Sequence, residues 1–177
     1  GVEPDPKAVE VARARGLTVH LGGLETLHTV SEAFDGITLN HVIEHVHDPR
    51  ATLTHCYRLL KSGGWLWLET PNLDAHGHAH YGENWVGLDI PRHLVVFTDR
   101  ALMRLLREVG FARVERLPYY PLCERVFAMS RAIATGASPH NAPPLPPQER
   151  QIARQAEAKA RRNPEIREFT MVRAWKA

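Results

Sequence analysis

Cysteine is almost missing from this sequence: Cys56 and Cys123 stand far apart and outside any CxxC spacing. That excludes a disulfide framework or a thiolate metal cluster and fits a reducing, cytoplasmic setting. No apolar run approaches the roughly 20 residues needed to cross a bilayer, so no membrane span is expected. Neither sign of charge dominates, since 22 Lys and Arg against 20 Asp and Glu leave a net +2. Acidic and basic residues are interspersed up to about position 147, so nucleic acid is not an expected partner. The N-terminus lacks the charged and apolar regions of a signal peptide. It opens on GVEPDP, directly on a structural motif, as expected of a domain cut upstream. No Gly-x-Gly-x-Gly turn and no P-loop Gly-Lys-Ser/Thr occurs, and the spacing of Gly77, Gly82 and Gly87 matches neither.

What is present has globular composition, 44% hydrophobic and 24% charged, with enough chain for a single domain over 1–177. Two stretches share one punctuation. Asp5-Pro6 leads to Gly16 and Asp48-Pro49 leads to Gly63, which reads as N-cap, first helical position and C-terminal stop. In the second, Leu53, Cys56, Tyr57, Leu59 and Leu60 form one apolar face, placing Cys56 in the core. Trp65-Leu66-Trp67-Leu68 reads as a parallel strand covered on both faces. Shorter strands are expected at 18–21, 37–40 and 114–117, the last after a helix from about Asp99 to Val109 closed by Gly110. This alternation of strand and helix predicts an α/β fold with a doubly wound, mainly parallel sheet flanked by helices. Residues 136–147, with five prolines, form a loop, and Gln148 to Arg162 reads as a solvated helix. The tail 168–175 returns to the sheet as a last strand, which makes 118–165 a helical cap insertion.

Glu3 delivers a carboxylate from a strand end just before a helix, where dinucleotide-type folds bind ribose hydroxyls; near a helix N-terminus it could equally be a solvated charge. The segment FDGITLNHVIEHVHDPRATLTHCYRLLKSGGWLWLETPN, with NWVGLDIPRHLVVFT downstream, resembles the class I S-adenosylmethionine (SAM)-dependent methyltransferases. Within these it is similar to the ubiquinone-biosynthesis O-methyltransferase subgroup, over about positions 1–117. The resemblance implies a Rossmann-like fold whose glycine-rich first strand would precede Gly1. It makes SAM the cofactor and Glu3 its ribose ligand, puts Gly23 and Leu24 at the adenine edge, and sets Asn40 and His41 on the cofactor floor. Gly23 stands where the family carries an acidic residue. The implied reaction is methyl transfer to a small-molecule acceptor, most naturally oxygen, with nitrogen or carbon as other acceptors, and the cap would lie over the acceptor.

Transfer from a sulfonium needs alignment of the nucleophile and removal of its proton. His45 and His93 are the candidate bases, Glu44 would orient one of them, and Trp85 and Arg92 would shape the acceptor pocket. The same side chains could instead only fasten loops to the sheet edge. His41-Val42-Ile43-Glu44-His45 also spells the inverted zinc-hydrolase motif, but Asp48-Pro49 follows within barely one helical turn, and no metal site is expected. Some ubiquinone-type relatives hold a cation at a Glu-x-x-Glu-His site here, whose first glutamate His41 replaces. His76-Gly77-His78-Ala79-His80 is expected to be a hydrophilic loop. The rival from another class is a non-catalytic module binding a partner, with self-association through exposed sheet edges. Without the first strand, its two neighbours would close up, or the gap would be filled by another chain or by upstream residues.

Overall fold

The computed structural model describes residues 1–177. Both Asp-Pro pairs open helices: Asp5 accepts from the Lys7 amide ahead of α1 (Pro6–Ala14), and Asp48 accepts from the Ala51 amide ahead of α2 (Pro49–Leu59). Each carboxylate satisfies an amide that has no partner in the first turn, and each proline sits where no donor is needed. Helix α4 (Asp99–Val109) is capped by the Thr98 hydroxyl and closed by left-handed Gly110. The strands are β1 (Val2–Glu3), β2 (His20–Leu21), β3 (Phe34–Asn40), β4 (Leu60–Pro71), β5 (Arg113–Arg116) and β6 (Phe169–Trp175). The remaining helices are α3 (His76–Tyr81), α5 (Cys123–Ala134) and α6 (Pro147–Arg162).

Helix α2 stops four residues before the glycine expected to end it. Leu60 already pairs with Phe34, and the register then skips so that Gly36 faces Trp65. Leaving the helix early lets Leu60 bury completely in the main core, a gain of about 2 kcal/mol for a large aliphatic side chain.

The strands form two sheets rather than one. β1 pairs in parallel with β2 alone, and a four-stranded sheet has the order β3-β4-β6-β5. β3 and β4 are parallel, whereas β6 runs antiparallel to both neighbours. The direction of β6 follows from the insertion before it. β5 ends at the same edge as β4, the chain makes α5 and α6 there, and β6 re-enters with Phe169 opposite Pro71. β1 and β3 do not pair with each other, so the closing-up of neighbouring strands is not what this fold does.

The main core joins Leu53 and Cys56 of α2 and Leu102, Met103 and Leu106 of α4 to Leu66, Leu68, Val172 and Ala174 of the sheet. Both helices therefore lie against one face. The opposite face carries half-buried Trp65 and Trp67, with Arg173 over Trp65 and Arg113 3.7 Å from the centre of the Trp175 ring. The expectation that 65–68 is covered on both faces is met fully on one side only: the run alternates between a helix-packed face and a half-buried arginine–tryptophan face. Leu24 packs on the main core, and the Arg58 guanidinium donates to the carbonyls of Leu27, His28 and Val30. These contacts tie the small sheet to the large one.

Helix α6 is not simply solvated. Its alanines 153, 156 and 160 are buried against Cys123, Phe127 and Leu145, a stripe of small side chains that lets two helices approach closely. The His76–His80 segment is likewise helical rather than a loop, with His80 stacked on Phe127 and His78 bonded to the Leu73 carbonyl.

Candidate functional site

A cleft of about 300 Å³ opens between the β3–β4–β6 edge and the inserted helices. Its polar lining is His41, Glu69, His93, Tyr120 and Arg125. Val86, Leu122, Val126, Met129 and Phe169 supply apolar walls.

β3 ends at Asn40, and His41 takes a left-handed conformation with φ 51°, costly for a residue with a side chain. The turn is held because the His41 amide donates to the Glu69 carbonyl. Its ring then lies between two carboxylates: Nδ1 is 3.1 Å from Glu44 Oε1 and Nε2 is 3.4 Å from Glu69 Oε1. The hydrogen bond to Glu44, then that to Glu69, raises the imidazole pKa to about 9 against the opposing effect of burial. His41 is therefore a fixed cation at neutral pH with both nitrogens engaged. It lines the cleft, but it cannot accept a proton.

Glu44 is completely buried. Burial pushes its pKa up, but His41, its own backbone amide and Thr70 more than offset this, and the group stays ionised below the usual carboxylate range. Its second oxygen accepts from the Thr70 hydroxyl at 3.0 Å. Glu44 thus serves His41 and Thr70, a correction to its expected role of orienting His45 or His93. Its position is set by the 3-10 turn Ile43–His45, too short and preceded by too sharp a bend to offer the helical face an inverted zinc-hydrolase motif needs.

His93 lines the cleft with its Nδ1 2.8 Å from the Gly87 carbonyl. A carbonyl can only accept, so Nδ1 carries a proton, and Nε2 lies 3.9 Å from Asp89 Oδ2. His45 packs edge-on against that ring at 4.7 Å and gives its own Nδ1 proton to the Arg92 carbonyl. It is absent from the cleft lining and supports His93 from behind. Ligand atoms of Glu44, His45 and His93 lie within 4.8 Å of one another, near enough for a cation to bridge, yet both Glu44 oxygens are already accepting hydrogen bonds.

Two expected pocket residues are elsewhere. Trp85 is fully buried and donates Nε1 to Glu168 at 3.1 Å, so its large ring fills core beneath the cleft instead of facing a ligand. Arg92 is exposed and paired with Asp89; its backbone carbonyl, not its guanidinium, serves the site. Glu168 also accepts the Gly77 amide at 2.8 Å. A Cβ on Gly77 would lie 2.5 Å from Glu168 Oε2, so only glycine allows this approach.

The expected cofactor residues sit on the small sheet. Glu3 ends β1 with Oε1 accepting the Asp5 amide at 2.9 Å, leaving Oε2 available. Gly23 precedes a 3-10 turn beginning at Leu24, and its amide donates to the Glu25 carboxylate at 2.6 Å. That carboxylate occupies the space of a side chain at 23, since a Cβ there would lie 2.5 Å from Glu25 Oε2. An acidic group therefore stands at this turn after all, supplied by Glu25. Asn40 is exposed at the end of β3. This donor and acceptor set fits a ribose and an adenine edge.

Glu69, Tyr120 and Arg125 were not foreseen. Glu69 had a legible signal, an acidic residue at the end of an apolar strand just before Thr70-Pro71. Its carboxylate accepts the Tyr120 hydroxyl at 3.2 and 3.4 Å. Tyr120 and Arg125 come from the insertion, which the resemblance placed over the acceptor without indicating which of its side chains face β4.

The methyltransferase domain family model matches residues 1–116. A ubiquinone biosynthesis O-methyltransferase of Cereibacter sphaeroides is 32% identical over 128 residues, covering 66% of this chain and 52% of that protein. One from Thiobacillus denitrificans is 28% identical over 137 residues, covering 69% of this chain and 59% of that protein. The chain spans between half and three fifths of the length of these curated relatives. Among solved structures, a SAM-dependent methyltransferase from Thermotoga maritima aligns over 100% of this chain and 72% of its own, with TM-score 0.62 and 24% identity. Another from Archaeoglobus fulgidus aligns over 99% and 75%, with TM-score 0.64 and 19% identity. These likenesses show the Rossmann-like fold.

Proposed function

The chain belongs to the SAM-dependent methyltransferases, and from that premise we propose that it transfers a methyl group from SAM to a hydroxyl oxygen of a small molecule held in the cleft, with His93 as the base. The observation that carries this reading is the tautomer of His93. With Nδ1–H committed to the Gly87 carbonyl, Nε2 is the nitrogen that could take a proton, with the Asp89 carboxylate 3.9 Å away, in a cleft of mixed polar and apolar lining at the strand ends where α/β sheets bind ligands.

Glu3 would accept the ribose hydroxyls through its free oxygen, with the Gly23–Leu24 turn and Asn40 beside the base and the sugar. When bound, SAM supplies an electrophilic methyl on a sulfonium. The protein's own part is to hold the acceptor, exclude water with the α5 side of the cleft, and remove one proton at His93 Nε2. His45 keeps the His93 ring from rotating, and His41 with Glu44 and Glu69 keeps the strand ends rigid. Oxygen as the acceptor atom is supported by the names of the curated relatives. A cytoplasmic setting is supported by the two buried free cysteines, and no helix is long and apolar enough to cross a membrane.

Incubation with methyl-labelled SAM and a panel of small phenols tests the reading. Label should appear on a phenolic oxygen, and His93→Gln should lower kcat by roughly 10²- to 10⁴-fold, the usual contribution of a positioned general base. An unchanged rate in His93→Gln removes His93 from the chemistry. Phenol binding without label transfer under any condition would favour a non-catalytic binding module.

A further inference from the structure

One side chain in the cleft has no work to do in the fold. The face that α5 and the residue before it turn to the cleft is Leu122, Arg125, Val126 and Met129, the spacing of one helical stripe. Three of the four are apolar, and the fourth is an arginine. Its neighbours on the same helix are committed elsewhere: Glu124 pairs with Arg150, and Arg131 pairs with Glu149. Arg125 has neither an ion pair nor a hydrogen bond, although Glu124 is adjacent to it in sequence.

The other polar groups of the cleft are engaged. His41 uses both nitrogens on carboxylates, Glu69 accepts from Tyr120, and His93 donates Nδ1–H to the Gly87 carbonyl with Nε2 near Asp89. Arg125 is the one cation lining the cleft whose hydrogen bonds are all open. A guanidinium presents a planar fork that matches a carboxylate in bidentate fashion. Within the lining, His41 and Glu69 offset each other, so the open guanidinium of Arg125 is matched by a single negative charge on the ligand.

Resting on the acceptor-cleft reading above, we infer that Arg125 is a specificity residue: the acceptor is a hydroxylated apolar molecule carrying a carboxylate, which Arg125 binds while the hydroxyl faces His93. The cleft of about 300 Å³ is at the lower end of ligand-site volumes, the size for one substituted ring.

The test compares two ring probes of the same shape, 4-hydroxybenzoate and its neutral counterpart 4-hydroxybenzamide, by amide chemical-shift titration of the protein. The benzoate should bind about tenfold or more tightly than the benzamide, as a charge-assisted hydrogen bond is worth more than 1.4 kcal/mol. Arg125→Gln should erase that preference without weakening the benzamide, and Arg125→Lys should retain part of it. Raising the salt should weaken the benzoate alone. Arg125 is exposed, so these variants keep the fold, checked by their unchanged spectra. Equal binding of both probes to the native protein, or a preference surviving in Arg125→Gln, overturns the assignment while leaving the cleft as acceptor site. Shifts in the cleft with neither probe overturns both.

Discussion

Glu3 stands on a two-stranded sheet in a region where, through residue 30, Val9 alone is buried, whereas His41 and Glu69 stand near the ends of the paired strands β3 and β4 of the larger sheet, among fully buried neighbours. The cofactor-facing half of the site is fastened to the body by Leu24 and the Arg58 guanidinium, and it exposes Val11, Leu17 and Leu21 by half or more. The acceptor-facing half is cross-linked by Glu44, Glu69 and Glu168, each bonded to partners from other elements. Rigid positioning, which methyl transfer requires, is therefore built into the side proposed for the acceptor, while the side proposed for the cofactor gains order from few contacts.

The sharpest way to break this contrast is at Trp85. Trp85→Ala empties a buried ring and leaves Glu168 short of a donor, so the melting transition should fall by the equivalent of about 3–5 kcal/mol. A change of similar size on removing an exposed apolar group of the α1 helix beside the small sheet would erase the distinction; Val11→Ser is expected to stay within about 0.5 kcal/mol.

Next in size is the effect of pH through Glu168. Burial, opposed by the Gly77, Trp85 and Cys123 donors, raises its pKa from 4.5 to about 7. A raised folded-state value means that stability is greatest below 4.5 and is lost as pH climbs through about 7. Denaturant titrations across that window should show the decline, and Glu168→Gln should flatten it. His41 acts in the same direction at higher pH, its contribution being full below 6.5 and fading through about 9, so Glu168→Gln should leave that later limb in place.

Arg58→Ala removes three backbone contacts to 27–30 and is expected to cost about 1–3 kcal/mol, local to the small sheet. Hydrogen exchange should speed up over residues 1–30 with little change in β4 and β6; uniform acceleration would mean that the two sheets unfold as one unit. Smallest in stability is Glu3→Gln, which should leave the melting transition unchanged and weaken SAM binding by about tenfold if the ribose hydroxyls meet that carboxylate.

Much of the architecture was legible. The caps at Asp5 and Asp48 and the stop at Gly110 act within one helical turn, so local chemistry specifies them wherever the helix ends up. Resemblance across 1–117 pointed to the correct family because it draws on long segments in fixed order. The partners of individual site residues were not legible. Glu44 and His45 are adjacent in sequence, yet one is buried on Thr70 and the other rests on His93, because successive residues of the 3-10 turn Ile43–His45 face different sides.

The starts of α1, α2 and α4, the α/β class and the placement of Glu3 and Asn40 at strand ends were thus settled by neighbours along the chain. Folding alone assigned Trp85 to the core, Glu25 to the space beside Gly23, and Tyr120 and Arg125 to the cleft. The reason is distance along the chain: these roles depend on contacts between residues dozens of positions apart or on the path of a backbone turn, and neither leaves a periodic trace in the order of amino acids.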